Sequence, residues 1–128
     1  MNNQEKNSYV RSQILKALLE MMRVDNFDSI TISRLTAKAE VGRASFYRNY
    51  QTKEDVLRQE AERLNNELND IRRNDDPNDY RLKLLRTLDF YKANSDFYMT
   101  VYNASQTQII QDSIIDKKPL SDEMPASI

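Results

Sequence analysis

The sequence predicts an all-α protein: a three-helix helix-turn-helix head joined through a long fourth helix to a short, incomplete helical region. Three observations predict it. Apolar residues recur at steps of three and four through most of the chain, which is the spacing of one helical face. Glycine and proline are scarce, one and three in 128 residues, a composition that favours helix over turn-rich folds. Ser, Thr, Asn or Asp stands ahead of each periodic stretch, where a helix needs a cap.

The first helix should run from about Ser8 to Val24, capped by Asn7 or Ser8, with residues 1–6 frayed. Val10, Ile14, Ala17, Leu18, Met21 and Met22 trace its apolar face. Phe27 and Ile30 sit in a short connection and are expected to plug the core between helices. Thr31 caps the second helix, whose inner face is Ile32, Leu35, Thr36 and Ala39; Arg34 and Lys38 lie outside. Glu40-Val41-Gly42 forms the turn. Val41 pins it to the core, and Gly42 is placed where backbone freedom is useful. The third helix is Arg43 to about Asn49 with Phe46 inward.

Thr52 caps the fourth helix, and Glu54 and Asp55 favour its positive end. It should reach about Arg72 with Leu57, Ala61, Leu64, Leu68 and Ile71 inward, packed within one chain rather than in a coiled coil. Residues 73–79 form a linker. The fifth helix, about Asp79 to Ala93, should turn Leu82, Leu85, Leu88 and Tyr91, or Leu84, Leu88 and Tyr91, to the core. Ser95 or Asp96 caps a short aromatic sixth helix. Ser105 or Thr107 opens a seventh with Ile109, Ile110, Ile114 and Ile115. The division expected is 1–57 for the head, 58–115 for the partial second region, and 116–128 for a disordered tail.

Composition removes several chemistries. There is no Cys and no His, which excludes disulfides, Cys/His zinc sites, His-based acid–base catalysis and Cys nucleophiles. No cluster of acids and no glycine-rich loop suggests a metal, a cofactor or a phosphate cradle, so no enzyme is expected. No apolar run approaches the roughly 20 residues of a membrane span, and the polar N-terminus lacks a signal-peptide core; a cytoplasmic protein is expected.

The net charge of −1 hides a local asymmetry. Residues 1–57 carry nine Lys/Arg and seven Asp/Glu, whereas 58–128 carry ten and thirteen. Thr31–Lys53 alone holds Arg34, Lys38, Arg43, Arg48 and Lys53 against one acid, Glu40. A basic patch on a near-neutral chain is the footprint of a polyanion. The outer side of the third helix (Arg43, Ala44, Ser45, Tyr47, Arg48) is polar, aromatic and basic with no acid. Arginine suits guanine edges or phosphate, hydroxyls suit phosphate oxygens, and alanine leaves room for a thymine methyl. Double-stranded DNA is the partner this pattern fits.

The stretch TISRLTAKAEVGRASFYRNYQTKEDVL resembles the DNA-binding head of the TetR family of bacterial repressors. Thr31, Ala39, Val41, the Phe46-Tyr47 pair, Tyr50 and Lys53-Glu54 carry the likeness, which extends over about Ser8–Leu68. The resemblance implies a homodimer on a palindromic operator, with each third helix in the major groove. It implies that Arg43, Ala44, Ser45, Tyr47 and Arg48 face the groove. Tyr47 and Lys53 would hold phosphates, with Thr31 and Ser33 as a further backbone anchor. Arg43 and Ser45 are the candidates for base readout. The family commonly has Gly where this chain has Glu40, and Ser or a similar residue at Gly42.

Beyond the linker the chain is shorter than the family's regulatory body, so an incomplete or truncated regulatory region is expected. Tyr91, Phe97, Tyr98 and Tyr102, with Met99, could line a pocket for a small-molecule effector that releases the repressor. The alternative is an interaction or dominant-negative fragment that pairs with a full-length relative without sensing a ligand.

Overall fold

The computed structural model describes residues 2–115, and among them every regular element is helical. The elements are α1 (Asn3–Met22), a 3₁₀ turn (Phe27–Ser29), α2 (Ile32–Ala39), α3 (Arg43–Asn49), α4 (Lys53–Ile71), α5 (Tyr80–Ala93), α6 (Ser95–Asn103) and α7 (Thr107–Ile115). The tail expected at 116–128 lies outside the described residues.

α1 starts five residues earlier than its apolar pattern suggests. Asn2 accepts from the Glu5 amide at 2.8 Å, and the Glu5 carboxylate accepts from the Asn2 amide at 3.2 Å. This reciprocal pair satisfies amides that a helix start leaves orphaned, so residues 3–6 are helical rather than frayed. The inner face is as the periodicity predicts, with Ile14, Ala17, Leu18, Met21 and Met22 buried. Phe27 and Ile30 are buried at the base of the head, as are Leu35, Ala39 and Phe46. Each of the larger of these side chains contributes about 1.5–3 kcal/mol by leaving water.

The turn between α2 and α3 reverses the expected roles of its residues. Glu40 occupies the left-handed region (φ 58°, ψ 42°), while Gly42 has an ordinary extended conformation (φ −77°, ψ 154°). A Cβ at Gly42 would meet nothing within 4 Å. The lone glycine is therefore not required by backbone geometry, and the strained position is Glu40. Nor does Gly42 supply a side-chain cap to α3. Glu40→Gly combined with Gly42→Ser should raise the unfolding free energy by about 1–2 kcal/mol. A urea midpoint that fails to rise would contradict this account of the turn.

α4 is capped reciprocally: Thr52 accepts from the Asp55 amide at 3.3 Å, and Asp55 accepts from the Thr52 amide at 3.1 Å. Val56, Leu57, Ala61, Leu64 and Leu68 are buried against the same chain. Ile71 departs from the expected stripe and is exposed. Among the described residues, α4 packs most extensively against α7. Buried residues from α1 to α7 form a single cluster, so head and body share one core. An exposed ion pair, Arg23–Asp96 at 2.6 Å, also links the end of α1 to α6.

α5 is the main correction. Neither leucine stripe predicted to face inward does so. Leu84, Leu85, Leu88 and Tyr91 are all exposed, and Phe90 is the one residue of α5 that is fully buried. The linker carboxylate of Asp75 holds Arg86 at 2.8 Å, and Arg72 donates to Thr87 at 3.1 Å. These contacts help set the rotation of α5, leaving its leucines outside. α6 begins at Ser95 with Asn94 as its cap residue and no side-chain cap bond, so neither Ser95 nor Asp96 serves in that role. Phe97 and Val101 face inward, and α7 adds buried Ile109.

Candidate nucleic-acid interface

α3 is short, and its orientation depends on what it buries. Phe46 is completely inaccessible and meets Tyr47 edge-on at 5.3 Å and Tyr50 at 5.4 Å between ring centroids. With Phe46 anchored, helical geometry puts Arg43, Ala44, Tyr47 and Arg48 on the outside, where all four are exposed. Ser45 is half-buried at the flank, and its carbonyl accepts from the Asn49 side chain at 2.9 Å. The T-shaped contact with Phe46 orients the Tyr47 ring, which remains half exposed.

The five cations of Thr31–Lys53 divide into two groups. Arg34 pairs with Asp25 at 2.8 Å and also donates to the Ser29 carbonyl at 3.3 Å. Lys38 lies 3.5 Å from Glu20. The Lys53 ammonium turns toward the protein: it donates to the carbonyls of Phe27 at 2.5 Å and Ile30 at 2.9 Å, and sits 4.5 Å above the Phe27 ring. Two of its three protons are thus engaged inside the head. Arg43 and Arg48 have neither an acid nor a carbonyl partner among the described residues. The patch read from sequence as a spread of five charges is concentrated, as free charge, in α3.

At the start of α2, Thr31 and Ser33 are exposed. The Thr31 hydroxyl oxygen accepts from the Arg34 amide at 3.2 Å, which leaves its own proton free to donate outward. The α3–α4 corner is tied down by residues the motif reading passed over. Gln59 donates to the Asn49 carbonyl at 3.0 Å, and the Gln51 amide donates to Asp55 at 2.9 Å. Asp55, three residues after Thr52, was the readable signal; nothing local could reveal Gln59, ten residues from its partner.

Tyr50 closes the far end of α3. It is buried, and a cavity of about 500 Å³ between α1 and α4 borders it, lined also by Arg11, Glu60 and Arg63. Burial pushes its phenol up to about 12, with Glu60 adding to the shift and Arg11 opposing it. The folded state therefore keeps this proton where the unfolded chain, near its ordinary value of 10, would lose it. Stability from Tyr50 should be fully present below pH 10 and fall as pH rises from 10 towards 12. Spectrophotometric tyrosine titration alongside thermal melts checks this. A Tyr50→Phe variant with the same loss of stability in that window would remove Tyr50 as its source.

The residues expected to line an effector pocket are not gathered round one cavity. Phe97 is turned into the core and Tyr102 is exposed. Tyr91 and Tyr98 meet edge-on at 4.7 Å. Tyr98 is half-buried, and burial, with the nearby Tyr91 and Glu60, raises its phenol. None of the three principal cavities is lined by any of the four.

Among the described residues no group of His, Cys, Asp or Glu is arranged to hold a metal ion, and no helix is long and apolar enough to cross a membrane. The outer face of α3 therefore offers two unpaired guanidiniums, a phenol and small side chains on a rigid base. Residues 14–59, which run from α1 into the first turns of α4, match the family model of the bacterial regulatory proteins, tetR family. Neither a curated protein nor a solved structure matches the chain. Through this helix-turn-helix head the chain is similar to the TetR family of DNA-binding transcriptional regulators.

Proposed function

We propose that the chain is a cytoplasmic repressor that binds a palindromic operator as a homodimer and leaves it when an effector binds. The observation that carries the reading is the free charge of α3: of the five cations of Thr31–Lys53, Arg43 and Arg48 alone lack an internal partner among the described residues. In this reading Arg43 and Ser45 read base edges, and Ala44 approaches the bases. Tyr47, Arg48, Thr31 and Ser33 hold phosphates and so fix the register. Lys53 acts chiefly from behind, keeping the start of α4 against the 27–30 connection, with one proton left for phosphate.

Release follows from the shared core. α4 begins immediately behind α3 and packs along α7. An effector that displaces α6 or α7 would tilt α4 and with it the recognition helix.

Selection of genomic DNA fragments by the purified protein tests the reading. A motif with two-fold symmetry is expected; recovery of fragments without a common motif would overturn it. On the selected site, Arg43→Ala should narrow the gap between operator and mismatched DNA by about 1–3 kcal/mol, the value of a bidentate base contact. A variant that discriminates as well as the wild type in gel-shift titration would take base readout away from Arg43.

A further inference from the structure

The cavity beside Tyr50 borders a polar group that the fold buries and leaves unbonded. Tyr50 is 6 % exposed, yet among the described residues its hydroxyl has no hydrogen-bond partner. No fully enclosed side-chain atom among them lacks one, so the hydroxyl keeps its last accessible surface in the cavity it lines. A buried hydroxyl without a partner costs free energy. The walls around it are of two kinds. Leu15 on α1 and Val56 on α4 are apolar, and Val56 is buried. Arg11 on α1 and Arg63 on α4 are cationic. Arg63 is committed, with Glu60 at 2.6 Å and Glu67 at 3.0 Å. Arg11 is not. Its one hydrogen bond is to the Ser8 hydroxyl at 3.4 Å, and it pairs with no acid among the described residues. Its charge acts on the Tyr50 phenol, so the two groups lie close together along the same cavity.

We propose that this α1–α4 cavity is a binding site for a small monocarboxylate with a compact apolar body, held by Arg11 and the Tyr50 hydroxyl. A guanidinium gives a carboxylate two parallel N–H bonds. The phenol keeps its proton at neutral pH and can donate a third. One free guanidinium matches one negative charge. A phosphate dianion would bring a second charge beside Glu60, with no free cation on the lining to offset it. Space and the apolar walls set the rest of the ligand. A volume of about 500 Å³ lies within the range of small-molecule sites, and a bare carboxylate would leave most of it unfilled. An apolar body laid on Leu15 and Val56 gains by leaving water.

The site lies in the head, directly behind α3. α3 ends at Tyr50, whose amide donates to the Phe46 carbonyl at 2.9 Å and whose ring meets Phe46 at 5.4 Å. Gln59, another lining residue, donates to the Asn49 carbonyl at 3.0 Å. A ligand bonded to Tyr50 therefore acts on the last turn of α3 with no movement of α5, α6 or α7. It is distinct from an effector that displaces α6 or α7. The proposal does not rest on the operator reading, because binding is measured on the free protein without DNA.

Titration of the full chain with 3-phenylpropionate, followed by amide NMR shifts, tests the proposal. The neutral 3-phenyl-1-propanol and inorganic phosphate serve as the comparison probes. Saturable shifts are expected at Arg11, Tyr50 and Gln59, with the alcohol bound at least roughly tenfold more weakly than the acid. Arg11→Met, a change at an exposed side chain, should weaken the acid roughly ten- to hundred-fold, as loss of a charge-assisted hydrogen bond does. Tyr50→Phe keeps the ring and should weaken it roughly two- to tenfold. Arg81→Met removes the same charge from the exposed side of α5 and should leave affinity unchanged. Four results overturn the proposal: no saturable shift around the cavity, an alcohol that binds as tightly as the acid, a phosphate that binds more tightly, or an Arg11→Met variant no weaker than Arg81→Met.

Discussion

Phe46→Ala is expected to lower the unfolding free energy by about 3–5 kcal/mol, the usual loss for truncating a fully buried phenylalanine. Phe46 is completely inaccessible, and it is the only buried side chain of α3. Its ring sits between Tyr47 and Tyr50, so truncation opens a cavity and also removes two aromatic contacts. A domain of ordinary stability holds about 5–15 kcal/mol in all. The variant should therefore be marginal, and α3 should loosen before the rest of the core. Urea denaturation gives the stability, and gel shift on the selected operator gives the binding. Because α3 cannot present Arg43 and Arg48 unless Phe46 anchors it, binding should fall even where the body is still folded. A variant within 1 kcal/mol of the wild type by urea denaturation would show that Phe46 does not anchor the helix.

Lys53→Ala is expected to cost about 1.5–3 kcal/mol, since an ammonium bonded to two carbonyls is lost from a partly buried position. The carbonyls of Phe27 and Ile30 lose their donor, and the Phe27 ring loses the cation above it. A residue serving only phosphate would behave otherwise, leaving the free protein's melting temperature unchanged and weakening binding alone. Lys53→Met separates the two roles further. It keeps the aliphatic stem packed on Phe27 but removes the ammonium, so it should recover part of the stability and none of the polar lock. Equal melting temperatures for wild type and Lys53→Ala would return Lys53 to the phosphate role alone.

Much of the fold was legible because its signals are local. Helix existence followed from spacing, and the caps at Thr31 and Thr52 followed from side chains that reach amides three residues on. Phe46 and Leu35 were recognisable as core because each is the apolar member of an otherwise polar turn of helix. Even the early start of α1 was written in Asn2 and Glu5, a capping box hidden by the lack of apolar residues behind it.

The sequence by itself determined the helical elements, the helix-turn-helix and the acid-free outer face of α3, since each depends on residues within a turn or two of one another. Only the tertiary structure decided which charges are free. Arg34 and Lys38 find Asp25 and Glu20 nine and eighteen residues away, and Lys53 finds carbonyls more than twenty residues back. It also decided which side of α5 is buried. A leucine stripe states that a face wants cover but not whether this chain supplies it. Here Phe90 is the residue of α5 that is buried and Asp75 holds Arg86, and the leucines are left exposed.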